Sequence, residues 1–220
     1  MKRNNLIVLF LIGFFGAFLT GFSQEDLATK ILSSYKAKFN TLSDFSADFV
    51  YSLENPGMAA GISKKGVLHY AKGKYALMMA DQEIFCDGKS IWILIPSGSP
   101  AESELNILPY DPEEGLGIEQ LFFLFNEESI SARYEGKQTV AGRTLDQIFL
   151  IITRQAEDIN QARLWINEHT KFPEKIITID RRQTTITYEF TKIQFDQGLP
   201  ASTFVFDTSN FPGEIYDERE

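Results

Sequence analysis

The stretch that most constrains this chain runs from Gln82 to Pro96, where Asp87-Gly88 stands between two apolar, β-branched runs. Asp-Gly tolerates the positive φ of a tight turn, so the pattern is the strongest short-range signal for a β-hairpin. The second arm sets Ile91, Ile93 and Ile95 on one side and Trp92 and Leu94 on the other. Both faces are apolar, which predicts a strand covered on both sides and raises the question of what covers it.

The flanking segments have strand character as well. Leu27, Ile31, Tyr35 and Phe39 recur every four positions, which predicts an amphipathic helix over 25–39. Phe45, Ala47, Phe49, Tyr51 and Leu53 then alternate with Ser46, Asp48 and Ser52, as in a half-buried strand. After a Gly- and Pro-rich loop over 54–62, strands over 66–71 and 74–79 lead into the hairpin with no room for crossover helices, so the order is an antiparallel meander. The proline-rich 97–112 region reads as a loop carrying one apolar piece, Leu105 to Leu108. Residues 117–126 predict a short helix that is apolar nearly all round and so must be buried or must cover something apolar. Strands are predicted again over 130–134, 138–140, 144–153, 162–167, 175–180 and 184–195, with a last short one from Phe204 and then an acidic tail. A sheet of this many strands curls because strands twist, and its concave face must be filled by side chains, helices or a ligand.

The first residues stand apart from this domain. Lys2 and Arg3, the apolar run Leu6 to Phe18 and the small residues around Gly21-Phe22-Ser23 have the pattern of a cleaved secretory signal. The predicted organisation is therefore a signal peptide over 1–23 and one domain over 24–220, the alternative for the first residues being an uncleaved anchor. The formal net charge is −9, and losing Lys2 and Arg3 from a leader without acids makes it −11 (−9 − 2). Such a surface repels phosphate backbones, so nucleic acid is not an expected partner. Cys86 is the single cysteine. It has no disulfide partner, does not lie where a lipid would be attached, and reads as a small buried core residue. Lys64, Lys65, Lys72 and Lys74 form a basic group on neighbouring predicted strands, either a solvated edge or a surface that steers an acidic partner.

Residues that carry catalysis are hard to find. No G-x-S-x-G elbow is present, Gly115-Leu-Gly117 lacks the third glycine of a dinucleotide loop, and neither His69 nor His169 has a second ligand at metal-binding spacing. The expectation is a non-enzyme with no catalytic residue, no metal and no cofactor. Large rings at strand positions either line an apolar pocket or pack a core.

Four segments in order resemble one family. They are Phe39-Asn-Thr-Leu-Ser-Asp-Phe-Ser-Ala-Asp-Phe, Gly66-Val-Leu-His-Tyr-Ala-Lys-Gly-Lys-Tyr, Asp87-Gly-Lys-Ser-Ile-Trp and Phe204-Val-Phe-Asp, and together they resemble the periplasmic outer-membrane lipoprotein carrier family LolA. The resemblance implies a mainly β fold with helices, an unclosed antiparallel β-barrel (a half-barrel) with a helical lid over an apolar cavity. It implies a monomeric periplasmic chaperone that takes acylated lipoproteins from an ABC-type releasing complex in the inner membrane and hands them to an outer-membrane acceptor. On that reading Phe45, Phe49, Tyr51, Tyr75, Trp92, Leu94, Leu121, Phe122 and Phe125 would line the cavity. The family's lid-tethering arginine falls at Ala71 or Lys72, so Lys72, with Lys74, would take the lid or partner contact. Lysine lacks the planar fork of arginine. The alternative is a half-barrel sensor or structural domain that binds a protein partner in the envelope.

Overall fold

The computed structural model describes residues 23–111, 122, 130–153 and 159–219. The predicted signal peptide, apart from Ser23, lies outside these residues, as does the predicted helix over 117–126 except for Phe122, so Leu121 and Phe125 are not placed.

The first element is α1 (Gln24–Thr41). Ser23 caps it, its hydroxyl accepting from the Asp26 N–H while the Asp26 carboxylate accepts from the Ser23 N–H, so two otherwise orphaned donors are satisfied reciprocally. The helix buries Ala28, Tyr35 and Phe39, with Ile31 and Leu32 packed beside them. The stripe is therefore rotated slightly from the predicted one, with Ala28 rather than Leu27 at its centre.

The strands are β1 (Phe45–Glu54), β2 (Ile62–Ala71), β3 (Lys74–Met79), β4 (Glu83–Cys86), β5 (Ser90–Ile95), β6 (Glu104–Pro109), β7 (Ile130–Val140), β8 (Arg143–Ile152), β9 (Ile159–Asn167), β10 (Pro173–Asp180), β11 (Thr185–Phe195) and β12 (Glu214–Asp217). They form a single sheet in the order β12-β6-β5-β4-β3-β2-β1-β11-β10-β9-β8-β7. The two meanders join where β1 pairs with β11, and every pairing is antiparallel except β12 on β6. The sheet does not close: β12 and β7 are its two ends. Its inner face nevertheless shares one apolar core with α1, to which β5 and β7 contribute from opposite halves of the sheet. The fold is thus an unclosed β half-barrel with a helix against its inner face.

Local chemistry sets the turns. Lys72-Gly73 and Ala141-Gly142 have positive φ at both positions, as a two-residue I′ hairpin demands. The hairpin at Asp87 closes with Gly88 at φ 85°, while the Asp87 carboxylate accepts from the N–H groups of Lys89 and Ser90 at 2.8 and 2.9 Å.

Three predicted elements are corrected. Leu105 to Leu108 is not part of a loop but of β6, because its backbone completes the ladder of β5. The segment from Phe204 is not a strand: Ala201–Phe204 is a short 3-10 turn. The last strand is β12, drawn from the acidic tail. The strands predicted at 130–134 and 138–140 are one, β7, with a bulge between Tyr134 and Gly136.

The second meander returns its chain across the outer face of the first. Phe206 and Phe211 pack on Phe85, Trp92, Leu94, Leu105 and Ile107, and Phe204 is buried. This strap is held at its start by Asp44, a buried carboxylate that accepts from the N–H groups of Gln197 (2.7 Å), Gly198 (2.9 Å) and Leu199 (3.3 Å). Asp196 answers by accepting from the N–H and hydroxyl of Ser43, both at 2.9 Å. The Leu-Ser-Asp-Phe part of the first family-like segment is therefore a lock between the start of β1 and the turn after β11.

Candidate ligand-binding face

The inner face has two zones. Around α1 it is closed by rings: Phe39 lies 5.3 Å from Tyr70 and 5.7 Å from Phe122, Phe45 lies 4.9 Å from Phe172 and 5.4 Å from Phe122, and Phe122 lies 5.6 Å from Phe190. Edge-to-face and tilted pairs at these separations add to the burial of the rings themselves. The Tyr35 hydroxyl donates to the Phe122 carbonyl at 3.0 Å, fixing Phe122 against the helix. Burial raises the Tyr35 hydroxyl well above the ordinary tyrosine value, and Tyr70 adds to the shift, so it remains a donor.

Beyond this knot Phe49 is still buried, and past it the inner face is half-buried. Phe49 and Tyr51 continue the row along β1, and Tyr51 meets Tyr188 of β11 edge-on at 5.4 Å. Leu77, Met79, Ile84 and Ile93 extend the apolar surface across β3, β4 and β5. Burial pushes Tyr188 up to about 12, with neighbouring Tyr51 adding to it. Burial also raises Tyr51, while Lys64 pulls in the opposite direction. Gly66 makes room for the row: a Cβ there would stand 2.6 Å from the Met78 carbonyl oxygen and 2.7 Å from Cζ of Phe49. The Phe49 ring therefore rests where a side chain on β2 would be.

The structure brings Phe45, Phe49, Tyr51, Tyr75 and Phe122 into the same inner core. It separates Trp92 and Leu94 from them. Side chains alternate along β5, so Ile91 and Ile93 face the inner core while Trp92, 7% exposed, and Leu94 face the strap. Both are thus removed from the concave wall. The double-sided apolar character of β5 is explained, since its second cover is the strap. Cys86 is buried in the inner core.

The lysine group is also divided. Lys64 and Lys65 lie near the start of β2 and Lys72 in the turn past its end, about 26 Å away at the ordinary rise per strand residue. Lys72 is exposed at the first position of that turn, and Lys74 lies on the outer face because Tyr75 points inward. Lys64 pairs across from Tyr51 and points inward, where its ammonium meets Asp81 at 2.6 Å.

On the outer face of the second meander the side chains are polar and paired. The Arg133 and Arg163 guanidiniums flank the Phe149 ring at 5.2 and 5.3 Å and both reach the Glu135 carboxylate, at 2.9 and 2.7 Å. An open cleft of about 470 Å³ lies beside Trp165, Gln138, Arg143, Glu174, Lys175 and Glu189. The Trp165 indole N–H donates to Gln138 at 2.8 Å, and its charges pair as Arg143–Glu174 and Lys175–Glu189. His69 also lies outward, its Nδ1 2.8 Å from the Ser46 hydroxyl, and burial lowers its pKa. Among the described residues no His, Cys, Asp and Glu side chains gather in a group fit to hold a metal, and no helix is long and apolar enough to cross a membrane.

Some of the inner face was missed from sequence. Tyr188 and Phe190 were legible from the alternation in β11, but Phe172 sits in a turn and carried no periodic signal. Lys64 looked like one of several surface lysines until the register placed it.

The architecture is that of an open antiparallel half-barrel with an aromatic inner face against one helix. The chain belongs to the family described as Outer membrane lipoprotein carrier protein LolA, whose model matches residues 40–207. Members of this family are binding and carrier proteins of the cell envelope. An uncharacterized protein of Methanocaldococcus jannaschii is 23% identical over 206 residues, covering 91% of this chain, and the chain spans only 57% of that protein's length. An uncharacterized conserved protein of Thermus thermophilus shares the fold with a TM-score of 0.55 at 9% identity, over 87% of this chain and 99% of that one. A LolA superfamily protein of Nitrosomonas europaea is similar at a TM-score of 0.43 and 12% identity, over 82% of this chain and 98% of that one.

Proposed function

We propose that the protein is a periplasmic carrier that holds lipoprotein acyl chains against its inner face and shuttles lipoproteins from the inner to the outer membrane. In this reading residues 1–23 are removed on export. An inner-membrane ABC-type complex loads the cargo and an outer-membrane acceptor takes it. The observation that supports it is the continuous apolar strip of Phe49, Tyr51, Leu77, Met79, Ile84 and Ile93 on the inner side of an open sheet, in a chain of the LolA family. Each acyl methylene exposed to water costs about 0.8 kcal/mol, so a chain of about sixteen carbons costs on the order of 12 kcal/mol and crosses an aqueous compartment only when covered. An open half-barrel suits that task because acyl chains enter along its length rather than through a closed rim.

The test is mass spectrometry of the protein purified gently from the envelope of its own cells. Co-purifying acylated lipoprotein is the expected result. Protein that consistently carries no acyl group, and takes up none from purified lipoprotein, would instead favour a half-barrel that binds a protein partner.

A further inference from the structure

We infer that Lys64 is a head-group anchor on the inner face, so that the cargo this chain prefers is an acyl amphiphile with an anionic group at its head. The inference rests on the carrier reading above and adds to its acyl-chain cargo a class of anionic amphiphile.

The placement follows from register. Phe49 pairs with Gly66 and Tyr51 with Lys64, so the lysine continues the inner row of β2 two residues beyond the glycine on which the Phe49 ring rests. On β1, β2, β3 and β11, the four strands around it, the other inward positions are aromatic, aliphatic or glycine, from Phe45 and Tyr70 at one end to Leu53 and Ile186 at the other. Lys64 is the one charge among them. The last pair between β2 and β3 is Gly66 with Met79, so Lys64 lies beyond the ladder, where the inner face meets solvent. An apolar row ending in a single cation next to Tyr51 matches an amphiphile with one anion at the end of its tail.

The present partner of Lys64 is exchangeable. Asp81 belongs to the turn between β3 and β4, and the two side chains are 57% and 35% exposed. Ion pairs this exposed contribute little net stability. A phosphate or carboxylate attached to an acyl chain brings the burial of its tail with it, which Asp81 cannot offer. Asp81 therefore holds the ammonium in place on the unloaded face and yields it to the head group. The same chemistry is offered by a phospholipid and by a fatty acid, and the probes must separate them.

The experiment uses the full mature chain, stripped of lipid, titrated below micelle concentration with 1-palmitoyl-lysophosphatidylglycerol, palmitate and net-neutral 1-palmitoyl-lysophosphatidylcholine. The unaltered protein is expected to bind the anionic probes about tenfold more tightly than the neutral one, and Lys64→Gln to remove that preference while leaving the neutral probe unchanged. Lys64→Arg should keep it. Asp81→Asn should move the other way and tighten anionic binding about threefold, because it removes the competing carboxylate. A preference confined to lysophosphatidylglycerol assigns the site to phosphate heads, and one shared with palmitate to any acyl anion. Equal binding of all three probes, unchanged by Lys64→Gln, overturns the anchor and leaves the carrier reading standing. Failure of every probe to bind likewise overturns the anchor, and the carrier reading falls only if purified lipoprotein is not taken up either.

Discussion

The outer faces of the two meanders are built from similar strands and end up opposite in character. On β4 to β6 the outward side chains include Phe85, Trp92, Leu94, Leu105 and Ile107, and the strap of Phe204, Phe206 and Phe211 covers them. On β7 to β10 they include Arg133, Glu135, Arg163, Trp165 and Lys175, which pair among themselves and stay in contact with water. Each half carries one of the two tryptophans. In an open sheet with one shared inner core, the outer face takes its composition from what the rest of the chain lays over it.

The largest effect that tests this contrast is on stability. Trp92→Ala should cost about 3–5 kcal/mol, because a buried ring between sheet and strap leaves a cavity. Trp165→Ala should cost only about 1 kcal/mol, since its ring is half-buried and the ion pairs Arg143–Glu174 and Lys175–Glu189 around it remain. Urea unfolding of the two variants compares them directly, and equal losses would break the distinction. Asp44→Ala comes next, at about 1–3 kcal/mol, because three N–H groups at the start of the strap lose the buried carboxylate that accepts from them. Its signature is local: Trp92 emission should shift to the red and become open to acrylamide while Trp165 emission stays as it was.

A smaller effect depends on pH and belongs to the open half. Burial pushes the Glu135 carboxyl up, but the hydrogen bonds and charges of Arg163 and Arg133 outweigh it and hold the group below its ordinary value of 4.5. A carboxyl lowered in the folded state stabilises the protein above its unfolded pKa and loses that contribution as pH falls through the folded one. Glu135→Gln should therefore be less stable than the unaltered protein near neutrality, with the gap closing below about pH 4.5. Thermal melts at a series of pH values measure the gap, and a constant difference would show that the guanidiniums are not its source. The smallest expected effect is none. Brominated acyl cargo on the inner face should leave Trp92 emission unchanged, since the sheet itself lies between them, and quenching would put the ligand under the strap instead.

Much of the fold was legible because it follows from local periodicity. The capped helix, the meander through β5 and the strands from β8 to β11 each repeat at the spacing of their own element, and Asp87-Gly88 marks its turn by backbone geometry. What failed was pairing that periodicity does not encode. Prolines hid β6 until β5 gave its backbone a partner, and β12 is four exposed residues whose strand character comes from a parallel ladder. The candidate site divides in the same way. The inner row of β1 was readable from alternation, whereas Trp92 and Leu94 were placed on the wrong face because an apolar pattern on both sides of a strand does not say which side is which.

An antiparallel sheet with one amphipathic helix, a β5 covered on both faces and four segments that resemble the LolA family could all be read along the chain. These are properties of neighbours along the chain, where φ, ψ and side-chain direction repeat over two to four residues. What covers β5, which lysine faces inward and what Ser43 and Asp44 hold emerge from contacts distant in sequence. Those depend on contacts between residues 153 apart, as from Ser43 to Asp196, or on the register of one strand against another. A one-residue slip there would move every side chain to the opposite face without changing the pattern that predicts the strand.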